Sequence, residues 1–342
     1  MGVKVGVLGV GPVGEHIVRV LGERNFPVDG QIAIIATSER NEIINGKPVS
    51  VQKVNADIFK GLDLVFFAGK EGAKGASMEW ADVAVKSGCV VIDNGGDLRM
   101  YPNIPLVVPE VNMDAVTKDT RLICNPNCST IQMSVALYPL HKAARLRRVI
   151  VSTYQSVSGH SGAGMDQLNG ELKQVFNGEP IQENPSIFSR SIAFNCIPHI
   201  DRFEPNGYTR EEMKMVHETR KIFGEPDLLI SATTVRVPVL VGHCETINAE
   251  FMEPMRAQRA IEILSDPKFS PGLVCFGEAE QYPVPSDLAK DVWKDAVLVG
   301  RIRDDMTVPN TINLWCVSDN LRKGAATNAV QIAEAMLAGG FI

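Results

Sequence analysis

The chain has 342 residues, 45% of them hydrophobic and 22% charged, with a formal net charge of −6. That length suits about two domains and a core of ordinary size. The acidic balance argues against a nucleic-acid partner, which calls for a basic face, and no apolar run reaches the roughly 18 residues of a membrane span.

The N-terminal MGVKVGVLGVG lacks the basic and apolar regions of a secretory signal. Cysteines stand at 89, 124, 128, 196, 244, 275 and 316. An odd number without a CxxC pair fits neither a disulfide framework nor a zinc ribbon, so no metal is expected and a reducing cytoplasm is the natural setting. Most lie in apolar runs and read as small buried hydrophobes.

Residues 3–8 read as an apolar strand and 13–21 as a helix, followed by strands at 31–36 and 62–67. A helix at 73–86 precedes strands at 89–92, 106–108 and 121–124. Strands alternating with helical patterns argue for a parallel, doubly wound sheet. After Cys128 the texture changes. Residues 129–145 read as a helix with Ser and Thr near its start, and 149–154, 232–238, 246–251 and 313–317 as strands. Residues 320–338 close the chain as an apolar-periodic helix. The expected fold is α/β: a Rossmann-like dinucleotide domain of residues 1–127 to which 320–342 return, and a mixed-sheet α+β domain of residues 128–319 carrying the chemistry.

Gly9, Gly11, Pro12, Val13 and Gly14 form a GxGxxG between a strand and a helix. Such glycines let the backbone approach a pyrophosphate, and the helix start supplies N–H groups. Proline suits the first helical turn. The next strand ends without an acidic tip. Ser38 and Arg40 stand there instead, which suits the 2′-phosphate of NADP, although Glu39 lies between them. In Asn125-Pro126-Asn127-Cys128-Ser129-Thr130 a cysteine meets an expected helix start. The helix N-terminus and a histidinium partner both favour the thiolate, so the thiol is expected to titrate below about 8.5. The same N–H groups suit an oxyanion. His243 follows a β-run and Gly242 and suits a general acid or base, and Arg236 suits bidentate capture of a carboxylate.

With these residues in place the chain resembles the aspartate-β-semialdehyde dehydrogenase family over nearly its whole length. The likeness rests on NPNCSTIQM (125–133), VSTYQSVSG (151–159), EEMKMVHETRKI (211–222), RVPVLVGH (236–243) and SDNLRKGAATNAVQIAE (318–334), with PLVVPEVN (105–112) and FNCIPHID (194–201) beside them. The resemblance implies a glyceraldehyde-phosphate-dehydrogenase-like architecture whose second domain is catalytic and dimerising, NADP as cofactor, and a homodimer or homotetramer. It implies Cys128 as nucleophile, His243 as acid/base and Gln155 as the residue orienting the reacting group. Arg236 then binds the substrate α-carboxylate and Glu211 its amino group, while Arg99, Asn127 and Lys214 hold phosphate. Ser158, Gly159 and Asn320 lie near the cofactor. The implied reaction converts aspartyl phosphate to aspartate semialdehyde through a Cys128 thioester.

The chain departs from the family pattern at several loops. The glycine turn GVGPVG is one residue shorter than GxTGxVG. A serine-rich stretch is replaced by Phe67-Ala68-Gly69-Lys70-Glu71-Gly72, DNSSAFR by Asp93-Asn94-Gly95-Gly96-Asp97-Leu98-Arg99, and VSGAGKAG by VSGHSGAG at 157–164. Two rival readings stay open. One is reduction of N-acetyl-γ-glutamyl phosphate, against which Glu211 argues, since an N-acetylated amine carries no positive charge. The other is a non-catalytic homologue that binds a nucleotide or a protein.

Overall fold

The structure, a computed structural model, describes residues 2–69, 71–182 and 184–342. Lys70 of the 67–72 loop lies outside the described residues. The chain forms two compact units, residues 1–127 with 325–342 and residues 128–324. Residues 320–324 therefore group with the second unit. No helix among the described residues is long and apolar enough to cross a membrane.

In the first unit β1 (Val5–Leu8) is fully buried and runs into α1 (Pro12–Glu23), with Pro12 in the first helical turn. β2 (Ala33–Ala36) follows, then β3 (Arg40–Ile44) and β4 (Lys47–Lys53), an antiparallel hairpin. Its turn is Asn45-Gly46, both at positive φ, a strong hairpin signal that apolar patterning overlooks because both strands are largely exposed. β5 (Leu64–Phe67), α2 (Ala76–Lys86) and β6 (Val90–Asp93) come next. Residues 106–108 do not form the expected strand. Leu106 makes a single parallel bridge to Cys124, and Pro109 opens the short helix α3 (Pro109–Asn112). The Asn112 side chain ties the turn, accepting from Val108 N and donating to Leu106 O. β7 (Leu122–Cys124) completes a seven-stranded sheet of order β3-β4-β2-β1-β5-β6-β7. Apart from the β3–β4 pair every pairing is parallel. Strand order reverses at β1, so ligands are expected outside its carboxyl end, where Gly9–Gly14 lie.

In the second unit α4 (Cys128–Ala144) is buried nearly all round, the signature of a central helix, despite Pro139 within it. β8 (Leu146–Gln155), α5 (Ser161–Phe176), α6 (Arg210–Phe223), β9 (Leu229–Arg236) and β10 (His243–Phe251) follow. After α7 (Ala257–Ser265) come β11 (Leu273–Cys275), β12 (Val297–Asp304) and β13 (Thr311–Ser318). The six-stranded sheet is mixed, of order β11-β12-β13-β10-β8-β9. The expected single helix over 320–338 is broken. Residues Arg322–Ala326 form a π-helical turn in which a Cβ on Gly324 would lie 2.9 Å from the Cβ of Cys128. α8 (Thr327–Ala338) then belongs to the first unit. There Arg24 pairs with Glu334 at 2.7 Å, and Asn328 donates to Val107 O and Asn125 Oδ1.

The glycine turn is sterically closed where it must be. A Cβ on Gly14 would overlap the Gly9 carbonyl oxygen, whereas one on Gly11 would meet nothing within 4 Å. Gly14→Ala is therefore expected to cost about 1–3 kcal/mol in urea unfolding. Gly11→Ala should stay within about 0.5 kcal/mol of wild type.

Candidate active site

The register of the second sheet gathers polar residues at one end of it. Gln155 closes β8 directly opposite Arg236, which closes the parallel strand β9. His243 opens the antiparallel strand β10, so it starts where β8 finishes. Cys128 is the first residue of α4, where backbone N–H groups lack intrahelical partners. α6 brings Glu211 and Lys214. Its start is fixed by a capping box in which Thr209 Oγ1 accepts from Glu212 N and Glu212 Oε2 accepts from Thr209 N.

Arg236 is only 5% exposed. Its Nη1 donates to Ser156 O at 2.7 Å, and its guanidinium lies over the Phe188 ring at 5.9 Å. Burial pulls its pKa below the ordinary value, while the Glu211 carboxylate and the Cys128 thiolate oppose that shift. Cys128 and Arg236 are thus within electrostatic reach of each other, an attraction that is mutual. A Cβ on Gly159 would fall 2.7 Å from Arg236 Nη1 and 3.3 Å from the His243 ring, so only glycine leaves both side chains in place.

His243 is fully buried, and that burial, then Arg236, lowers its pKa to about 3. Its Nδ1 accepts the Ser156 backbone N–H at 3.1 Å. The ring is therefore neutral and carries its proton on Nε2. The expected histidinium beside the thiol is overturned, because a second buried cation next to Arg236 is too costly. Gln155 donates to Glu211 Oε1 at 3.1 Å and accepts from Thr153 Oγ1. Lys214 lies between Glu211 and Asp201, at 3.2 and 3.1 Å. Asn320 Oδ1 accepts from Ser156 Oγ, Ser158 Oγ and Gly242 N. Ser158 and Asn320 thus form a buried support beneath His243. Ser156 escaped the sequence reading although it holds His243 through its N–H and Arg236 through its carbonyl. A serine in a serine-rich strand end carries no signal of its own.

The remaining expected site residues lie in the first unit. The α1 N-terminus has no side-chain cap, and the open space at Gly11 leaves its N–H groups accessible. Those residues fit a dinucleotide pyrophosphate. Arg40 opens β3, where Nη1 donates to Ser38 Oγ at 3.1 Å and Nη2 pairs with Glu42 at 3.2 Å. Arg99 is buried and donates to Asn94 O, and Asn127 is buried ahead of Cys128.

Two family models cover most of the chain. The semialdehyde dehydrogenase NAD binding domain matches residues 4–119, and the semialdehyde dehydrogenase dimerisation domain residues 137–323. Aspartate-semialdehyde dehydrogenase 2 of Vibrio cholerae is 47% identical over 334 residues, spanning 96% of this chain and 95% of that one. The chain belongs to the aspartate-semialdehyde dehydrogenase family. The family member of Aquifex aeolicus is 43% identical over 352 residues, covering 100% of both chains. The crystal structure of aspartate semialdehyde dehydrogenase II from Vibrio cholerae complexed with ASA matches at TM-score 0.90 and 44% identity, over 98% of each chain.

The buried histidine has a thermodynamic signature. A histidine whose folded pKa lies below its unfolded value of 6.5 takes up a proton on unfolding, so stability falls as pH drops from about 6.5 toward 3. Asp93, pushed up to about 6 chiefly by burial, acts in the opposite sense: its contribution is present at low pH and is lost as pH rises from 3.8 through 6. Comparison with His243→Asn isolates the histidine. Between pH 7 and pH 5, urea unfolding of wild type should lose about 2 kcal/mol more than the variant. Parallel pH dependences would show that His243 is not buried in its neutral form.

Proposed function

We propose that the protein is an NADP-dependent aspartate-semialdehyde dehydrogenase that interconverts aspartyl phosphate and aspartate semialdehyde through a thioester on Cys128. The observation that carries the reading is the second unit's cluster: a cysteine at a helix start, a buried arginine within its electrostatic reach, and a neutral histidine beside that arginine. Membership of the family supports the substrate.

In the reductive direction the Cys128 thiolate attacks the acyl carbon. A C–S bond forms, the C–O bond to phosphorus breaks, and phosphate departs. The first-turn N–H groups of α4 stabilise the oxyanion of the attack. Arg236 holds the substrate α-carboxylate as a bidentate partner, and Glu211 holds the ammonium. Arg99, Asn127 and Lys214 bind the phosphate. NADP, when bound in reduced form, supplies the hydride of the reduction, with the Gly9–Gly14 turn holding its pyrophosphate and Ser38 and Arg40 its 2′-phosphate. Ser158, Gly159 and Asn320 complete the cofactor side. His243 Nε2–H donates to the oxygen on which charge develops, and Gln155 orients the same group. The hemithioacetal alkoxide then collapses, the C–S bond breaks, and aldehyde and thiolate are released. His243 acts as a hydrogen-bond donor without giving up its proton, and the one proton that the reduction consumes passes from solvent to the departing phosphate. The dimerisation-domain match supports a homodimer or homotetramer, and the free state of all seven cysteines supports a cytoplasmic setting.

Oxidation of aspartate semialdehyde in the presence of phosphate and NADP is the direct test. Cys128→Ser should lose at least about 10³-fold in rate while still binding NADP. Retained turnover in that variant, or preference for an N-acetylated substrate, would overturn the reading. For the cofactor, kcat/KM should favour NADP over NAD, and Arg40→Ala should erase about 1.5–3 kcal/mol of that preference. Equal use of both cofactors by the wild type would remove the role given to Ser38 and Arg40.

A further inference from the structure

Two of the segments that depart from the family pattern, Glu71-Gly72 and residues 93–99, meet beyond the carboxyl ends of the neighbouring parallel strands β5 and β6. They are joined by a reciprocal pair of bonds. Glu71 Oε1 accepts from Gly96 N at 2.9 Å, and Asp97 Oδ2 accepts from Gly72 N at 2.7 Å. Each loop therefore supplies one carboxylate and one glycine N–H to the other. Charged acceptors make these bonds stronger than neutral ones.

The glycines belong to the same arrangement. Gly72 has φ 106°, which side-chain-bearing residues rarely adopt. A Cβ on Gly96 would come within 3.2 Å of both Glu71 carboxylate oxygens, and one on Gly95 within 2.8 Å of Ser77 Oγ. The unusual Glu71, Gly72, Gly95, Gly96 and Asp97 thus form a single compensated exchange. Restoring one family residue at a time would clash with, or unpair, its neighbours.

The interlocked segment leads directly into Arg99. Asn94 is anchored to Phe67 O through both its backbone N and its Nδ2, and Arg99 Nη2 donates back to Asn94 O at 2.8 Å. Asp93 Oδ1 accepts from Gly95 N and Ser77 Oγ, and its carboxyl feels the charges of both Arg99 and Glu71. The turn between Asp93 and Arg99 is therefore held at its start by Asp93 and in its middle by Glu71 and Asp97.

We propose that Glu71 and Asp97 are positioning residues, whose reciprocal bonds to Gly96 and Gly72 hold the 93–99 turn so that Arg99 is presented to the phosphate of the acyl-phosphate reaction. This rests on the phosphate-binding role given to Arg99 above. Neither carboxylate touches substrate; each acts through the turn.

The test is steady-state kinetics of the full-length enzyme in the oxidative direction, with inorganic phosphate varied. Glu71→Ala and Asp97→Ala should each raise KM for phosphate at least about 5-fold with kcat within about 2-fold. The double variant should be no worse than the weaker single one, because either loss opens the same interlock. Glu71→Gln, which keeps an acceptor oxygen, should restore most of the phosphate affinity. Hydrogen exchange should quicken at Gly72 and Gly96 in the alanine variants. Unchanged phosphate KM in these variants, while Arg99→Ala raises it, overturns the positioning role and leaves Arg99 standing. Unchanged phosphate KM in Arg99→Ala itself overturns the reading of that arginine, and the present inference with it. A rise confined to the KM for NADP would assign the interlock to the cofactor instead and also refute the proposal.

Discussion

The second unit is organised around a guanidinium taken out of water. An arginine as buried as Arg236 is destabilising by several kcal/mol unless its charge is paired and its N–H groups are bonded. The surrounding residues answer that requirement. The Ser156 carbonyl accepts one N–H, Glu211 and Cys128 supply negative charge, and Phe188 offers its ring face. The consequences spread outward. Glu211, itself buried, is held by Gln155 and Lys214, and Lys214 is held in turn by Asp201. His243, next to a buried cation and without exposure, stays neutral. A cysteine thiolate suits such a surrounding, because its charge adds to the pairing of Arg236 rather than competing with it.

In the first unit it is the placement of backbone N–H groups that differs from one strand end to the next. Gly9 and Gly14 let strand and helix approach closely, and the uncapped start of α1 keeps its donors available. At the ends of β5 and β6 the glycine N–H groups are instead taken by the protein's own carboxylates. The same chemical group is therefore left accessible at one strand end and used as internal fastening at the next.

Much of the first sheet is legible in the sequence because buried parallel strands are short apolar runs between glycine turns. The β3–β4 hairpin is not, since its strands carry Arg40, Asn41 and Glu42 and bury little. The strand expected at 106–108 fails for a local reason: Pro109 opens a helix as soon as Leu106 has made its bridge. The break at Arg322–Ala326 is equally hidden. Its apolar periodicity continues through to α8, whereas the close approach of Gly324 to Cys128 within the π-turn is seen only in the folded chain.

The sequence by itself determined the glycine turn between β1 and α1 and the cysteine at a helix start. These are carried by short contiguous motifs whose chemistry is local. The charge state of His243, the burial of Arg236, and the contacts of Ser156 and of the Glu71–Asp97 pair were decided only by tertiary structure. Ser156 lies far along the chain from both Arg236 and His243, and the two loops meet only because β5 and β6 lie side by side. Arg236 and His243 share the segment 236–243, but the neutral ring follows first from desolvation, which no window of sequence displays.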